Sequence, residues 1–348
     1  MKFNLQPLDQ AAIAAATARQ DQLTKPQGSL GRLEEVGIQL AGISGQCPPP
    51  VPARKAVLVF AGDHGVVKQG VSAFPQEVTP QMVLNFLRGG AAVNVLARHA
   101  GARIRVIDAG VAFPLPAAAG LVAARIANGT ADMSEGPAMT RDQAIAAIEL
   151  GARVVREEIV VGLDLLACGE MGIGNTTPAT AIISVLTGRQ PREVAGPGTG
   201  ITADGVSHKA RIIAKAIAIN QPDKTDGLDV LAKVGGFEIG AITGAMLAAA
   251  EARIPIIVDG FITTAAAMIA TTINPQVSAY MISGHRSAEP GHDIALHALG
   301  LKPLLDMKMR LGEGTGAALA FEMLDAATRV LADIKTFAEV AIADAQKG

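Results

Sequence analysis

Apolar residues along this chain fall into two kinds of run. Short, nearly unbroken stretches that close in Gly or polar residues recur at "AVLVFAGDHG" (56–65), "IRVIDAG" (104–110), "LDLLACGEMGIG" (163–174), "IPIIVDG" (254–260) and "SAYMISGHRS" (278–287). With no alternation between two faces, they predict parallel strands covered on both sides. Between them lie longer segments with apolar positions at helical spacing: "PQMVLNFLRGGAAVNVLARHAG", "TRDQAIAAIELGARVVREEIVVG" and "FEIGAITGAMLAAAEARI". Strand alternating with helix predicts an α/β fold, a parallel Rossmann-like sheet with flanking helices. Ligands of such sheets gather outside the carboxyl ends of the strands. Here each run carries its glycines and polar residues at that end.

The two chain ends differ from the middle. "DQAAIAAATARQDQLTKPQGSLGRLEEVGIQLAGISG" reads as two helices around a "TKPQGS" break, with Pro26 stopping the first and Ser29 capping the second. "CPPPVPARK" (47–55) is a stiff linker into the sheet. After Ala317 the pattern is helical again, with Leu319, Met323, Ala327, Val330 and Leu331 near helical spacing. This predicts a small all-helical domain from residues 1–50 with 316–348, beside an α/β catalytic domain of residues 51–315. The apolar run "FITTAAAMIATTI" (261–273) falls short of the roughly 20 residues a bilayer requires and is rich in Ala and Thr, so a buried helix is expected and no membrane span.

Charge and composition narrow the partners. Lys and Arg number 30 against 32 Asp and Glu, leaving no basic footprint for nucleic acid or an anionic membrane. Aromatics make up 3% of the chain and Trp is absent, so base-stacking platforms have little to be built from. A small-molecule partner is expected. Cys47 and Cys168 form neither a disulfide framework nor a zinc-type spacing, and "MKFNLQPLDQ" lacks the apolar core of a secretory signal; a cytoplasmic protein is expected.

Candidate chemistry sits in four places. "CGEMGIGNTTPATAIISVLTG" runs from a strand end through glycines into a helix, with Thr176 or Thr177 as N-cap and Pro178 at the first helical position. Backbone N–H groups and the helix start there suit a phosphate, although the same glycines also fit an ordinary strand-to-helix turn. It is not a P-loop, and the third glycine of the dinucleotide fingerprint is missing. "AGPGTGIT" (195–202) is a second glycine turn, followed by a helix with His208 and Lys209 near its start. Lys209 supplies the point charge a phosphate or ribose site needs, or else is a solvated first-turn lysine. The third place, around His64, His285, His292, Asp63, Glu289 and Asp293, has no metal-type spacing and is expected to shape a pocket, with Asp63 orienting neighbours and Arg286 a candidate for a substrate carboxylate. The fourth, "RLGEGTGAALA" (310–320), sets Glu313 among Gly312, Gly314 and Gly316, which clear space for a flat substrate to approach a general base. An exposed acid beside a helix start fits the same residues.

"LTKPQGSLGRLEE", "AGDHGV", "GVSAFPQEVT", "GNTTPATAI", "VGGFEIGAITGAMLAAA", "VDGFITTAAA", "SAEPGH" and "MRLGEGTGAALA", in that order, resemble the nicotinate-nucleotide:dimethylbenzimidazole phosphoribosyltransferase family over nearly the whole chain. The resemblance implies transfer of phosphoribose from nicotinate mononucleotide to a benzimidazole base, giving α-ribazole phosphate and nicotinate. It implies Glu313 as catalytic base, Glu170 as a second carboxylate in the site, and nucleotide contacts from Gly172, Gly174, Asn175, Thr176, Gly198, Thr199 and Lys209. It further implies no cofactor and no metal, and a homodimer whose partner subunit completes the cavity. Enterobacterial members carry a Ser and a Gln where this chain has Phe74 and Met82, so the base contacted by those two positions is left open.

Overall fold

The computed structural model describes residues 2–341. Six strands, β1 (Lys55–Gly62), β2 (Arg103–Gly110), β3 (Leu121–Ala123), β4 (Leu165–Met171), β5 (Ile256–Val258) and β6 (Met281–Ser283), form one all-parallel sheet in the order β3-β2-β1-β4-β5-β6. The five expected strands are there. The short edge strand β3 was not expected, because its three residues sit among Ala, Pro and Gly with no apolar run to announce it.

The helices are α1 (Gln10–Gln22), α2 (Arg32–Ser44), α3 (Val78–Leu87), α4 (Ala92–His99), α5 (Arg141–Val161), α6 (Thr176–Thr187), α7 (Pro191–Val194), α8 (Ala203–Asn220), α9 (Gly227–Val234), α10 (Phe237–Glu251), α11 (Phe261–Ile273), α12 (Gly291–Leu299), α13 (Thr315–Asp333) and α14 (Phe337–Val340). The segment expected as one helix over 80–101 is two, α3 and α4, since "RGGA" (88–91) turns the chain between them. Ser29 caps nothing: Gly31 precedes α2, and Glu34 instead reaches back to the Leu30 N–H and the Lys25 ammonium. The apolar run 261–273 is α11, a core helix. Among the described residues no helix is long and apolar enough to cross a membrane.

Alternate strand residues serve two separate cores, which is what a two-sided parallel sheet requires. Ala56, Leu58, Phe60, Ile107, Leu166, Cys168 and Ile256 belong to one, under α5, α6, α10 and α11. Val57, Val59, Ala61, Val106, Leu165, Ala167 and Ile257 belong to the other, under α2, α3, α4 and α13. The chain ends meet in this second layer. Arg19 Nε donates to the Leu331 carbonyl at 2.6 Å, and Leu23 bridges to Thr336.

Candidate active site

A cavity of about 630 Å³ opens at the carboxyl ends of β4, β5 and β6, beside the β1/β4 boundary where the strand order reverses. That reversal is where connections leave in opposite directions and open a crevice. β4 delivers Glu170 to it. The chain then turns at Gly172 and enters α6, with Asn175 as the residue before the helix rather than Thr176 or Thr177. Asn175 already has helical dihedrals (φ −62°, ψ −21°), so its side chain does not cap; its amide donates to Glu170 Oε2. The turn is pinned from below: the Ile173 N–H donates to Thr79 Oγ1, which donates in turn to Asp63 Oδ1 at 2.7 Å. Asp63 also accepts the Ala112 N–H, the orienting part expected of it.

Glu313 reaches the same cavity on a turn of three consecutive left-handed residues, Gly312 (φ +81°), Glu313 (φ +64°) and Gly314 (φ +93°). For a residue with a Cβ that conformation costs roughly 1–2 kcal/mol, so surrounding contacts must hold it. Two do. The Glu313 N–H donates to Glu170 Oε1 at 3.3 Å, and Asp259, at the end of β5, accepts the N–H groups of Gly314 and Ala317. The turn lies directly on β4: a Cβ on Gly169 would stand 1.9 Å from the Glu313 carbonyl oxygen, so only glycine fits that strand position. Glu313 is therefore buried, not an exposed acid at a helix start.

Burial dominates the electrostatics of both glutamates. It pushes the Glu170 carboxyl up to about 8, against hydrogen bonds from Asn175 and Glu313 and with help from the charges of Asp259 and Glu238. It pushes Glu313 up to about 6, opposed by the Val93 N–H and reinforced by Asp259. Glu170 thus keeps its proton to higher pH than Glu313 does. Two carboxylates with separated pKa values are the usual mark of divided acid–base roles. Behind the Gly172 turn, His64 Nε2 lies 2.9 Å from Glu238 Oε1; the atoms are not aligned for a hydrogen bond, so the contact is between charges. Burial alone would lower the imidazole's pKa, but Glu238, Asp63 and Glu170 outweigh it and hold it above the ordinary histidine value.

The other wall carries the cations. Lys209 is in the second turn of α8 and fully buried, not a solvated first-turn residue. Its ammonium donates to Thr176 Oγ1 at 2.6 Å and the Gly196 carbonyl at 3.4 Å, tying the two glycine turns together. Burial lowers it to about 8, with Glu289 opposing. The Gly198 N–H donates to Glu289 Oε1 at 2.9 Å, so that amide is already engaged. Arg286 does not face the cavity: it pairs with Asp293 and Asp306. The arginine that lines it is Arg310, which donates to the Gly198 carbonyl at 2.9 Å.

Of the residues singled out in the sequence, Phe74, Met82, Glu170, Gly172, Asn175, Thr176, Gly198, Thr199 and Glu313 line the cavity. Gly174 and Lys209 do not: Gly174 shapes the turn from behind, at φ +89° against Val67, and Lys209 acts through Thr176. His285 and Glu289, two of the six residues expected to shape a pocket, line it; Asp63, His64, His292 and Asp293 do not. Asp259, Ser287 and Arg310 were missed. The signal for Asp259 was the "VDG" that ends its strand run, the same strand-end position that marks Glu170. Among the described residues no group of three or more His, Cys, Asp or Glu is arranged to hold a metal ion.

A doubly covered parallel sheet whose strand ends set paired glutamates opposite a lysine-backed pair of glycine turns has the makings of a site for a phosphorylated small molecule. Known proteins narrow it. A family model described as phosphoribosyltransferase matches residues 5–342. A nicotinate-nucleotide:dimethylbenzimidazole phosphoribosyltransferase from Chloroflexus aggregans is 56% identical over 338 residues, 97% of this chain and 96% of that one. The protein of the same name from Geotalea uraniireducens is 52% identical over 342 residues, 98% and 97% of the two chains. The crystal structure of CobT from Thermus thermophilus superposes with a TM-score of 0.93 at 47% identity, across 96% of this chain and 99% of that chain. The chain belongs to the nicotinate-nucleotide:dimethylbenzimidazole phosphoribosyltransferase family.

Proposed function

We propose that this chain transfers the phosphoribosyl group of nicotinate mononucleotide to dimethylbenzimidazole or a related base, giving α-ribazole phosphate and nicotinate for the nucleotide loop of cobalamin. The observation that carries the reading is the pair Glu170 and Glu313, with pKa values driven apart, in one cavity with the α6 start and the Lys209-tied turns. The bond from ribose C1 to the pyridinium nitrogen breaks, and its electron pair goes to the departing nicotinate. The incoming base attacks C1 through one nitrogen from the opposite face and inverts the anomeric centre, so no covalent enzyme intermediate is required. The proton on its other nitrogen passes to Glu313, which is ionised and within a short titration distance of neutral pH. Glu170 meets the cationic side of the sugar. A pyridinium or oxocarbenium nearby favours its ionised form, so substrate itself converts a neutral acid into an electrostatic stabiliser.

The phosphate is assigned to the start of α6 around Asn175 and Thr176, with Thr199 and Arg310 beside it and Lys209 behind Thr176, acting through that hydroxyl. The base is assigned to the wall formed by Phe74, Val78, Met82 and Leu311. That wall offers shape and apolar contact in place of side-chain hydrogen bonds, so selection among bases rests on fit and on Glu313. Phe74 is 48% and Leu311 57% exposed at the mouth, which fits a homodimer whose partner covers them. We keep residues 1–50 with 316–348 as a helical unit beside 51–315, supported by the Arg19 and Leu23 ties between the chain ends, with α2 and α13 packed on the sheet and residues 1 and 342–348 outside the described structure. A cytoplasmic location accords with Cys47 and Cys168 both being free thiols.

The test is incubation with nicotinate mononucleotide and a panel of benzimidazoles, purines and phenols. Released nicotinate matched by a new nucleoside phosphate of α configuration is the expected result. No nicotinate release with any base would remove the proposal.

A further inference from the structure

Asp259 follows β5 with a carboxylate that takes no part in the bond changes above. It is 1% exposed, and both oxygens face the turn that carries Glu313: Oδ2 accepts the Gly314 N–H at 3.2 Å and Oδ1 the Ala317 N–H at 2.8 Å. These amides open α13. A helix start exposes N–H groups that no backbone acceptor reaches, and the residue before the helix normally serves them. Here that residue is Gly314, which has no side chain to offer. The cap comes from a strand instead. His285 Nε2 lies 3.8 Å from Oδ1, too far for a hydrogen bond, and acts on Asp259 through charge.

We propose that Asp259 is the positioning residue for Glu313: by capping α13 from the end of β5, it holds the left-handed 312–314 turn and so presents the Glu313 carboxylate to the cavity. The inference rests on the reading of Glu313 as the proton acceptor. Burial raises the Asp259 carboxyl above the usual aspartate value, opposed by the charge of His285 and by the Ala317, Gly314 and Gly316 N–H groups at the helix start. The titratable groups facing it are Glu313 on the capped turn, Glu170 and Cys168 on β4, and His285 beyond β6. Asp259 therefore acts on Glu313 twice, through the turn's geometry and through a negative charge that makes the proton easier to hold.

Asp259→Asn keeps the side-chain shape and one acceptor oxygen while removing the charge. The expected result is a fall in kcat of about 100-fold, the usual size for a catalytic group misplaced by an ångström, with KM for nicotinate mononucleotide within about threefold. The acid limb of the kcat/KM–pH profile, near pH 6 in the wild type, moves to lower pH, since losing a neighbouring negative charge makes Glu313 easier to ionise. A merely structural cap would lower the melting temperature and leave the limb in place, and that outcome overturns the proposal, as does a wild-type kcat. Glu313→Gln run alongside separates the two readings: if it retains the wild-type rate, the assignment of the base fails, and Asp259 is then judged by amide hydrogen exchange alone. In the wild-type protein the Gly314 and Ala317 amides should exchange as slowly as those in the body of α13. Exchange at free-peptide rates would contradict the cap even if no Asp259 variant folds.

Discussion

The two edges of one sheet treat acids in opposite ways, Asp108 with its Arg125 partner near the end of β2 being the exception at the carboxyl edge. At the amino edge every prominent carboxylate has a cation: Asp164 meets Arg54 at 2.6 Å, Glu158 meets Arg103 and Arg105, Glu157 meets Arg105, and Asp325 meets Lys55 at 2.5 Å. At the carboxyl edge, among the described residues, no lysine or arginine lies within salt-bridge distance of Asp63, Glu170, Asp259 or Glu313. The consequence is opposite titration. A hydrogen bond from Arg54 holds Asp164 below the usual aspartate value, whereas burial lifts Asp63, Glu170, Asp259 and Glu313 above theirs. The amino edge is arranged for stability. The carboxyl edge gives stability up, and an electrostatic cost concentrated at strand ends is what a reaction site of this fold requires.

The largest effect is expected at the carboxyl edge itself. Glu313→Gln should lower kcat by about 10²–10⁴-fold while KM for the nucleotide stays within about threefold, the signature of a lost proton acceptor; initial rates of nicotinate release measure both. Next comes Gly169→Ala. Its new methyl would collide with the Glu313 carbonyl oxygen, so kcat should drop about 100-fold with nucleotide binding by calorimetry little changed. Normal turnover in that variant would show that the turn is not held against β4.

A smaller effect tests the cost itself. The folded-state value of Glu170, about 8, lies above its ordinary value of 4.5. The folded protein therefore keeps a proton that the unfolded chain releases, and this contribution to stability is full below pH 4.5 and lost as pH rises toward 8. Glu170→Gln removes the dependence. Its melting temperature relative to wild type should be higher at about pH 8 than at about pH 5, by about 2 °C or more, although the variant is a poorer enzyme; an equal difference at both pH values would mean that Glu170 is not held neutral. Smallest is Arg54→Ala at the amino edge, where the arginine is 61% exposed. It should leave kcat unchanged and shift melting by no more than about 2 °C.

The sheet was legible because a strand covered on both faces must be apolar throughout, and five such runs stand out in the sequence. β3 was not, being three residues at an edge. Strand ends pointed to the right edge for chemistry, and the glycines around Glu313 announced a backbone that ordinary residues avoid. What stayed hidden depends on contacts between distant segments. Asp259 caps a helix that begins only at Thr315, beyond two other helices and a strand. Lys209 is buried beneath a turn that follows another strand, and Asn175 spends its amide on Glu170 rather than on its own helix. Arg286 and Arg310 carry the same charge on neighbouring loops. Only the fold decides that the first meets Asp293 and the second the cavity.

The kcat/KM–pH profile of nicotinate release, with nucleotide and base below saturation from about pH 5 to about pH 9, in wild type and in Glu313→Gln, tests the central claim most directly. The account predicts a wild-type rate that climbs through a limb near pH 6 and a variant at least about 100-fold slower with that limb gone. A variant that keeps both the limb and a rate within about tenfold of wild type would contradict it.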